Sequence, residues 1–158
     1  MSGIVIVALP LGERTVTYAD GDVVPVHQTL IYLGDTANAY PTSQEMAQVN
    51  VEVEEIAQHF GIATAKVSGK GTLGPEQERI VITESMDLNV IRENLLDNFL
   101  ISELIGKAPQ HPHWIPHVTG MQNLVYGDIL VFDRLAVWYG DSKQSYFLSK
   151  IAPVIEVD

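Results

Sequence analysis

Apolar and polar positions alternate along this chain with two periods, and the switches between them outline its elements. Ile4 to Leu9 is an unbroken apolar run closed by Pro10 and Gly12, the pattern of a buried strand. Arg14 to Tyr18 alternates around β-branched residues, and Ala19-Asp20-Gly21-Asp22 is a turn signal, so a hairpin is predicted there. It leads into a strand from Val23 to Leu33. Pro25, which has no amide hydrogen, predicts an edge position or a bulge near that strand's start. Thr42-Ser43-Gln44-Glu45 reads as a capping box, and Met46, Val49, Val53, Ile56 and Phe60 follow at helical spacing, with Gly61 as the stop. Ile62 to Val67 and Arg79 to Thr83 read as strands, with the glycine-rich stretch Gly69 to Gly74 as a loop or hairpin connection. A second helix is predicted from Asp87 to Ile105, with Leu88, Ile91, Leu95, Phe99 and Leu104 on its apolar side and Gly106 at its end. Lys107 to Pro116 is a loop rich in proline and histidine. His117 opens another strand, and Ile129 to Tyr139 with Ser145 to Ile151 forms a hairpin around Gly140-Asp141-Ser142-Lys143.

The order is strands, helix, strands, helix, strands, which predicts an α+β class with helices against antiparallel sheets. At 158 residues the chain has the length of one domain with a full core. It contains no apolar run of about 18 residues, so no membrane-spanning helix is expected. The first ten residues lack a basic region and read as a strand rather than a signal peptide. The absence of cysteine rules out disulfides and thiolate metal sites and fits a reducing, cytoplasmic setting. The formal net charge is −11, and the nine lysines and arginines are scattered. Long duplex or single-stranded nucleic acid is held by a basic stripe that releases counterions, and none is visible. A small nucleotide remains a suitable partner.

Two triplets change the picture: His27-Gln28-Thr29 and His117-Val118-Thr119, each in an apolar, strand-like setting. In a strand, residues i and i+2 share a face, so each triplet presents an imidazole beside a hydroxyl. A lone histidine on an apolar strand is ordinarily a packing residue bonded to a backbone group. As a matched pair, the triplets supply two acid/base groups and two hydroxyl donors, a set suited to attack on phosphorus. His111, His113 and His117 form a competing constellation that could bind zinc or nickel, but no carboxylate stands close by in sequence. His111 and His113 read instead as a solvated loop at the rim of the site, and His59, near the end of the first helix, as structural. No dinucleotide fingerprint, phosphate-binding loop or nucleophile elbow is present.

Taken together, the residues resemble the two-histidine (2H) phosphoesterases, the superfamily of the bacterial 2′-5′ RNA ligase/cyclic phosphodiesterases. Ile4-Val5-Ile6-Val7-Ala8-Leu9-Pro10 resembles the family's first strand. His27-Gln28-Thr29-Leu30 with Leu33-Gly34 resembles its first motif, and Ile115-Pro116-His117-Val118-Thr119 its second. Phe132 to Leu148 resembles its closing strands. The chain departs from the family in two places: the hairpin ahead of His27, and Gly120-Met121, where the family often has leucine and a basic residue. The resemblance implies a bilobed, pseudo-symmetric fold of antiparallel sheets around a cleft, with helices outside. It implies a metal-independent phosphodiesterase without a cofactor. His27 and His117 would act as acid and base, and Thr29 and Thr119 would donate to the phosphate oxygens. Trp114 could stack on a base and Tyr146 could line the cleft. The implied substrate is a small nucleotide or short oligonucleotide: a 2′,3′-cyclic phosphate, a 2′-5′ linkage or a cyclic oligonucleotide signal of the kind that viral and phage members destroy. RNA end processing or ligation, with a local basic groove at Arg14, Lys70 or Arg134, and a non-catalytic nucleotide-binding module are the alternatives.

Overall fold

The computed structural model describes residues 3–38, 40–108 and 114–150. In chain order the elements are β1 (Gly3–Pro10), β2 (Thr15–Thr17), β3 (Val23–Pro25), β4 (Gln28–Asp35), α1 (Ser43–Gln58), β5 (Ala63–Leu73), β6 (Glu78–Glu84), α2 (Met86–Asp97), α3 (Phe99–Gly106), β7 (His117–Thr119), β8 (Ile129–Tyr139) and β9 (Ser142–Phe147). Seven strands form one antiparallel sheet in the order β4-β1-β8-β5-β6-β7, and β9 also pairs with β8. The length of β8 makes this possible. Its first residues, Ile129 to Phe132, pair with β5, and Arg134 to Tyr139 pair with β9 along the same edge. Phe132 to Trp138 hold β1 on the other edge. β8 therefore joins two arms of the sheet, one ending in β4 and the other in β7. The hairpin β2-β3 stands apart as a two-stranded sheet.

Alternation along the strands separates two cores. Ile4, Ile6 and Ala8 of β1 face the helices, among Met46, Val49 and Val53 of α1, Leu88, Ile91 and Leu95 of α2, and Ile101 and Leu104 of α3. Each such fully buried Leu or Ile side chain is worth about 1.5–3 kcal/mol relative to exposure. Val5, Val7 and Leu9 face the opposite way and pack with Val24, Ala136 and Trp138. Among the described residues no helix is long and apolar enough to cross a membrane.

The expected capping box is present: Thr42 Oγ1 accepts from the Glu45 amide at 3.2 Å, and Glu45 Oε1 accepts from the Thr42 amide at 3.0 Å. That bond to the Thr42 amide holds the Glu45 carboxyl below its usual range. Five boundaries differ from expectation. The strand predicted from Val23 to Leu33 is broken at Val26 and His27, because Pro25 cannot donate to a ladder and His27 Nδ1 folds back onto the Pro25 carbonyl at 2.8 Å. Gly69 and Gly71 lie within β5 rather than in a loop, paired with Ile82 and Ile80 of β6. The partner strand holds these glycines extended, and the turn comes later, at Gly74 with φ +77°. The second helix is two helices. Asn98 is extended (φ −69°, ψ 129°), ending α2 and capping α3 through a bond from the Ile101 amide to its Oδ1 at 3.1 Å. The last strand begins at Ser142 and ends at Phe147, and Ile151 lies outside the described residues. Gly61 is not left-handed, and α1 closes on His59 in a right-handed helical conformation.

Candidate active site

The first triplet straddles the start of β4. Thr29 pairs with Val7 and shares its face, the one opposite the helices, whereas Gln28 pairs with Ala8 and is wholly buried on the helix side. His27 precedes the strand, 7 % exposed, with its ring edge-on to Trp138 at 4.5 Å between centroids. The second triplet is β7 itself. Val118 is buried in the main core opposite Val81, so His117 and Thr119, opposite Ile82 and Ile80, point the other way. The backbone period thus puts both imidazole–hydroxyl pairs on faces turned away from the helix-packed core.

Both histidines are anchored alike. Nδ1 of His27 meets the carbonyl of Pro25, and Nδ1 of His117 meets that of Ile115 at 2.6 Å, in each case two residues upstream. A carbonyl only accepts, so Nδ1 carries the hydrogen and Nε2 is left for chemistry. Their burial differs. Burial pushes the His27 imidazole down to about 4, the bond to Pro25 opposes this, and the charges of His117 and Lys143 push it further down. His117 is therefore close enough to repel a proton on His27. His27 is neutral at neutral pH, and its partner is the less buried ring.

Strands β4 and β6 are tied by a buried bond from Thr83 Oγ1 to Gln28 Oε1 at 2.6 Å. Trp114 adds a second tie: its Nε1 donates to the Thr29 carbonyl at 3.2 Å, while the Arg92 guanidinium lies 4.2 Å from its ring centroid and donates from Nε to the Leu30 carbonyl at 3.0 Å. Trp114 is thus beside the first triplet with its ring engaged by Arg92. Tyr146 is not brought to the pair. It lies opposite Leu135 on the helix side, and its hydroxyl bonds Asn50 of α1 at 2.7 Å. Strand alternation puts Trp138, not Tyr146, beside His27. His111 and His113 lie outside the described residues. Among the described residues no group of three or more His, Asp or Glu is placed to hold a metal ion.

The hairpin β2-β3 supplies contacts absent from the sequence-based expectation. Val24 is buried against Val5, Val7, Leu9 and Trp138 on the first arm. From there the hairpin reaches the second arm. The Tyr18 hydroxyl interacts with the Thr119 side chain, and the Ala19 amide donates to Glu78 Oε1 at 2.6 Å. Burial raises the Tyr18 hydroxyl above its ordinary value, with Glu78 and Asp20 acting in the same sense, and the bond to Thr119 partly offsets this. Val16 sits over Gly120, where a Cβ would lie 2.7 Å from Val16 Cγ2. Beside His27, a cavity of about 470 Å³ is lined by Pro25, Val26, Trp138, Arg14, Arg134 and Lys143, among others. Lys70 lies elsewhere and donates to the Gln122 carbonyl at 2.6 Å.

Comparison with solved structures agrees with this architecture. The crystal structure of TT0787 of Thermus thermophilus superposes with a TM-score of 0.63 at 15 % identity, over 94 % of this chain and 98 % of that one. The chain shares the fold of TT0787, a two-histidine phosphoesterase family member. E. coli LigT, another protein with the two-histidine fold, matches at a TM-score of 0.48 both in apo form (10 % identity) and complexed with 3′-AMP (11 %), each over 92 % of this chain and 94 % of that one. No family model matches the sequence, and no curated protein is significantly similar to it. Within this fold, the triplets lie at strands β4 and β7 at the ends of the two arms, with His27 just ahead of β4.

Proposed function

We propose that the chain is a metal-independent phosphodiesterase acting on a small nucleotide phosphodiester by paired-histidine acid/base catalysis. One observation carries this reading: two imidazoles within electrostatic reach, each with Nδ1 bonded to a backbone carbonyl and Nε2 left to act. The neutral ring, His27, is suited to the base. It takes a proton from an attacking water or ribose hydroxyl as that oxygen bonds to phosphorus. His117, the less buried ring, is suited to the acid. It gives a proton to the departing oxygen as the P–O bond breaks, and solvent exchange restores both rings. Thr29 and Thr119 would donate to the non-bridging oxygens, where the transition state must hold negative charge. In that geometry Tyr18, beside Thr119, would hold the threonine side chain in place next to the phosphate.

The test is turnover of a panel containing 2′,3′-cyclic mononucleotides, cyclic di- and trinucleotides and 2′-5′ oligoadenylate, with EDTA present. His27→Ala and His117→Ala should each lower the rate by about a hundredfold or more. Turnover abolished by EDTA, or a variant near wild-type rate, would refute the scheme. RNA end processing or ligation is the second reading, favoured by Arg14 and Arg134 lining one cavity beside His27. It predicts joined ends, rather than hydrolysed ones, on chromatography.

A further inference from the structure

In a chain of net charge −11, three of the nine basic side chains meet at one cavity. Arg14, Arg134 and Lys143 line the space of about 470 Å³ that begins at Pro25 and Val26, next to His27. Glu13 is the acidic group on its wall. Arg134 is fixed in place: Nη2 donates to the Pro10 carbonyl at 3.0 Å, and Nε pairs with Asp133 at 3.0 Å. Among the described residues, Arg14 and Lys143 have no carboxylate at ion-pair distance. Lys143 instead lies 5.1 Å from the ring centroid of Trp138, the residue that also touches His27.

A second cavity, of about 260 Å³, shares Pro10, Gly12, Arg14 and Val26 with the first. Its remaining wall is apolar, including Leu11, Met121, Leu124 and Ile129, and Leu11 and Ile129 are exposed at 62 % and 58 %. Apolar side chains left open beside unpaired cations suit a ligand with a flat apolar part and an anionic part. A water-filled surface pocket needs neither.

We infer that these adjoining cavities form a subsite for a second nucleotide, its phosphate among Arg14, Arg134 and Lys143 and its base against the apolar wall, so that the substrate is an oligonucleotide rather than a cyclic mononucleotide. This rests on the phosphodiester reading, since it takes the reacting phosphate to lie at His27 and His117. The hairpin contributes Arg14 and Thr15 to the wall, so the subsite belongs to the part of the chain that departs from the family pattern.

Equilibrium binding tests it without any need for turnover. Calorimetry compares 3′-AMP, with one base and one phosphate, against the dinucleotide ApAp, with two of each, at two salt concentrations. ApAp should bind about tenfold or more tightly, as expected for an added charge-assisted phosphate contact. Arg14→Ala and Lys143→Ala, both at exposed positions, should each shrink the ratio of the two affinities severalfold. Each should also reduce the salt slope for ApAp by about 0.7. Equal affinity for the two probes, no binding of either, or a ratio that survives both substitutions would overturn the subsite. Failure of the paired-histidine reading would register separately, as unchanged turnover in His27→Ala and His117→Ala.

Discussion

The depressed His27 imidazole makes folding stability depend on pH in a way that isolates this one residue. In the unfolded chain its value is near 6.5, and in the fold burial holds it at about 4. Between those values the unfolded state binds a proton that the folded state refuses. Stability therefore rises with pH across this window: the contribution is fully present above about 6.5 and is lost as pH falls to about 4. At about 1.4 kcal/mol per pH unit the whole drop is worth about 3 kcal/mol, a sizeable part of the roughly 5–15 kcal/mol that holds a domain together. With an m-value of about 2 kcal/mol/M, the urea midpoint would move by about 1.5 M. The twenty aspartates and glutamates also titrate toward the acid end, so the wild type must be compared with His27→Gln, which keeps a donor for Pro25 and does not ionise. The difference between their urea midpoints should change by the amount above from pH 7 to pH 4, with the wild type losing ground. Parallel midpoints over that range would refute the burial-driven shift and, with it, the assignment of His27 as the neutral base.

Further outcomes follow from the same contacts. The acid limb of the kcat/KM profile should fall well below 6.5, toward 4, because the base loses function only when His27 takes a proton; a limb near 6.5 would put the base elsewhere. Tyr18→Phe should lower kcat in the wild type but cost little more once Thr119→Val is present. Additive losses in that double-mutant cycle would show that Tyr18 does not act through Thr119. Gly120→Ala, at φ +80° and against Val16, should destabilise the fold by roughly 1–3 kcal/mol in denaturant melts, with part recovered by Val16→Ala; no loss would mean the hairpin does not sit on Gly120. Thr83→Val should cost about 1–3 kcal/mol by leaving buried Gln28 without its partner, and a neutral result would contradict the tie between β4 and β6.

The parts of this fold that were legible in the sequence are those set by local rules. The capping box at Thr42, the apolar run of β1 and the hairpin turn before His27 follow from spacing and turn chemistry alone, and each appears where expected. The errors arise where tertiary partners override local preference. Gly69 and Gly71 are extended because β6 pairs with them, and Asn98 splits a helix whose apolar positions run on unbroken. The triplets were legible for the same reason as β1, since a period of two puts His and Thr side by side. Tyr146 was expected at the cleft and Trp138 was not, because an aromatic on a strand shows which neighbours share its face but not which face meets the site. Tyr18 carried no signal as a site residue. Its role depends on a hairpin folding over a strand that lies about a hundred positions later.

The two departures from the family pattern, written about 100 positions apart, are one structural arrangement. A side chain at position 120 would run into Val16, so the hairpin can lie over the second triplet only if that triplet is followed by glycine. The φ of +80° at Gly120 adds a second reason, since a branched or long residue there would be strained even with the hairpin removed. Accepting the hairpin therefore excludes leucine at that position. On the proposed reading the hairpin also brings positive charge: its own Arg14 joins Arg134 and Lys143 on the far side of His27. The hairpin thus reaches Thr119 through Tyr18, closes over the second triplet through Val16, and sets a cation against the flank of the first. A chain cut back between Arg14 and Val23, with Val24, Pro25 and Gly120 kept, should lose its preference for ApAp over 3′-AMP while keeping both histidines in place. Retention of that preference would place the second phosphate somewhere other than beside Arg14.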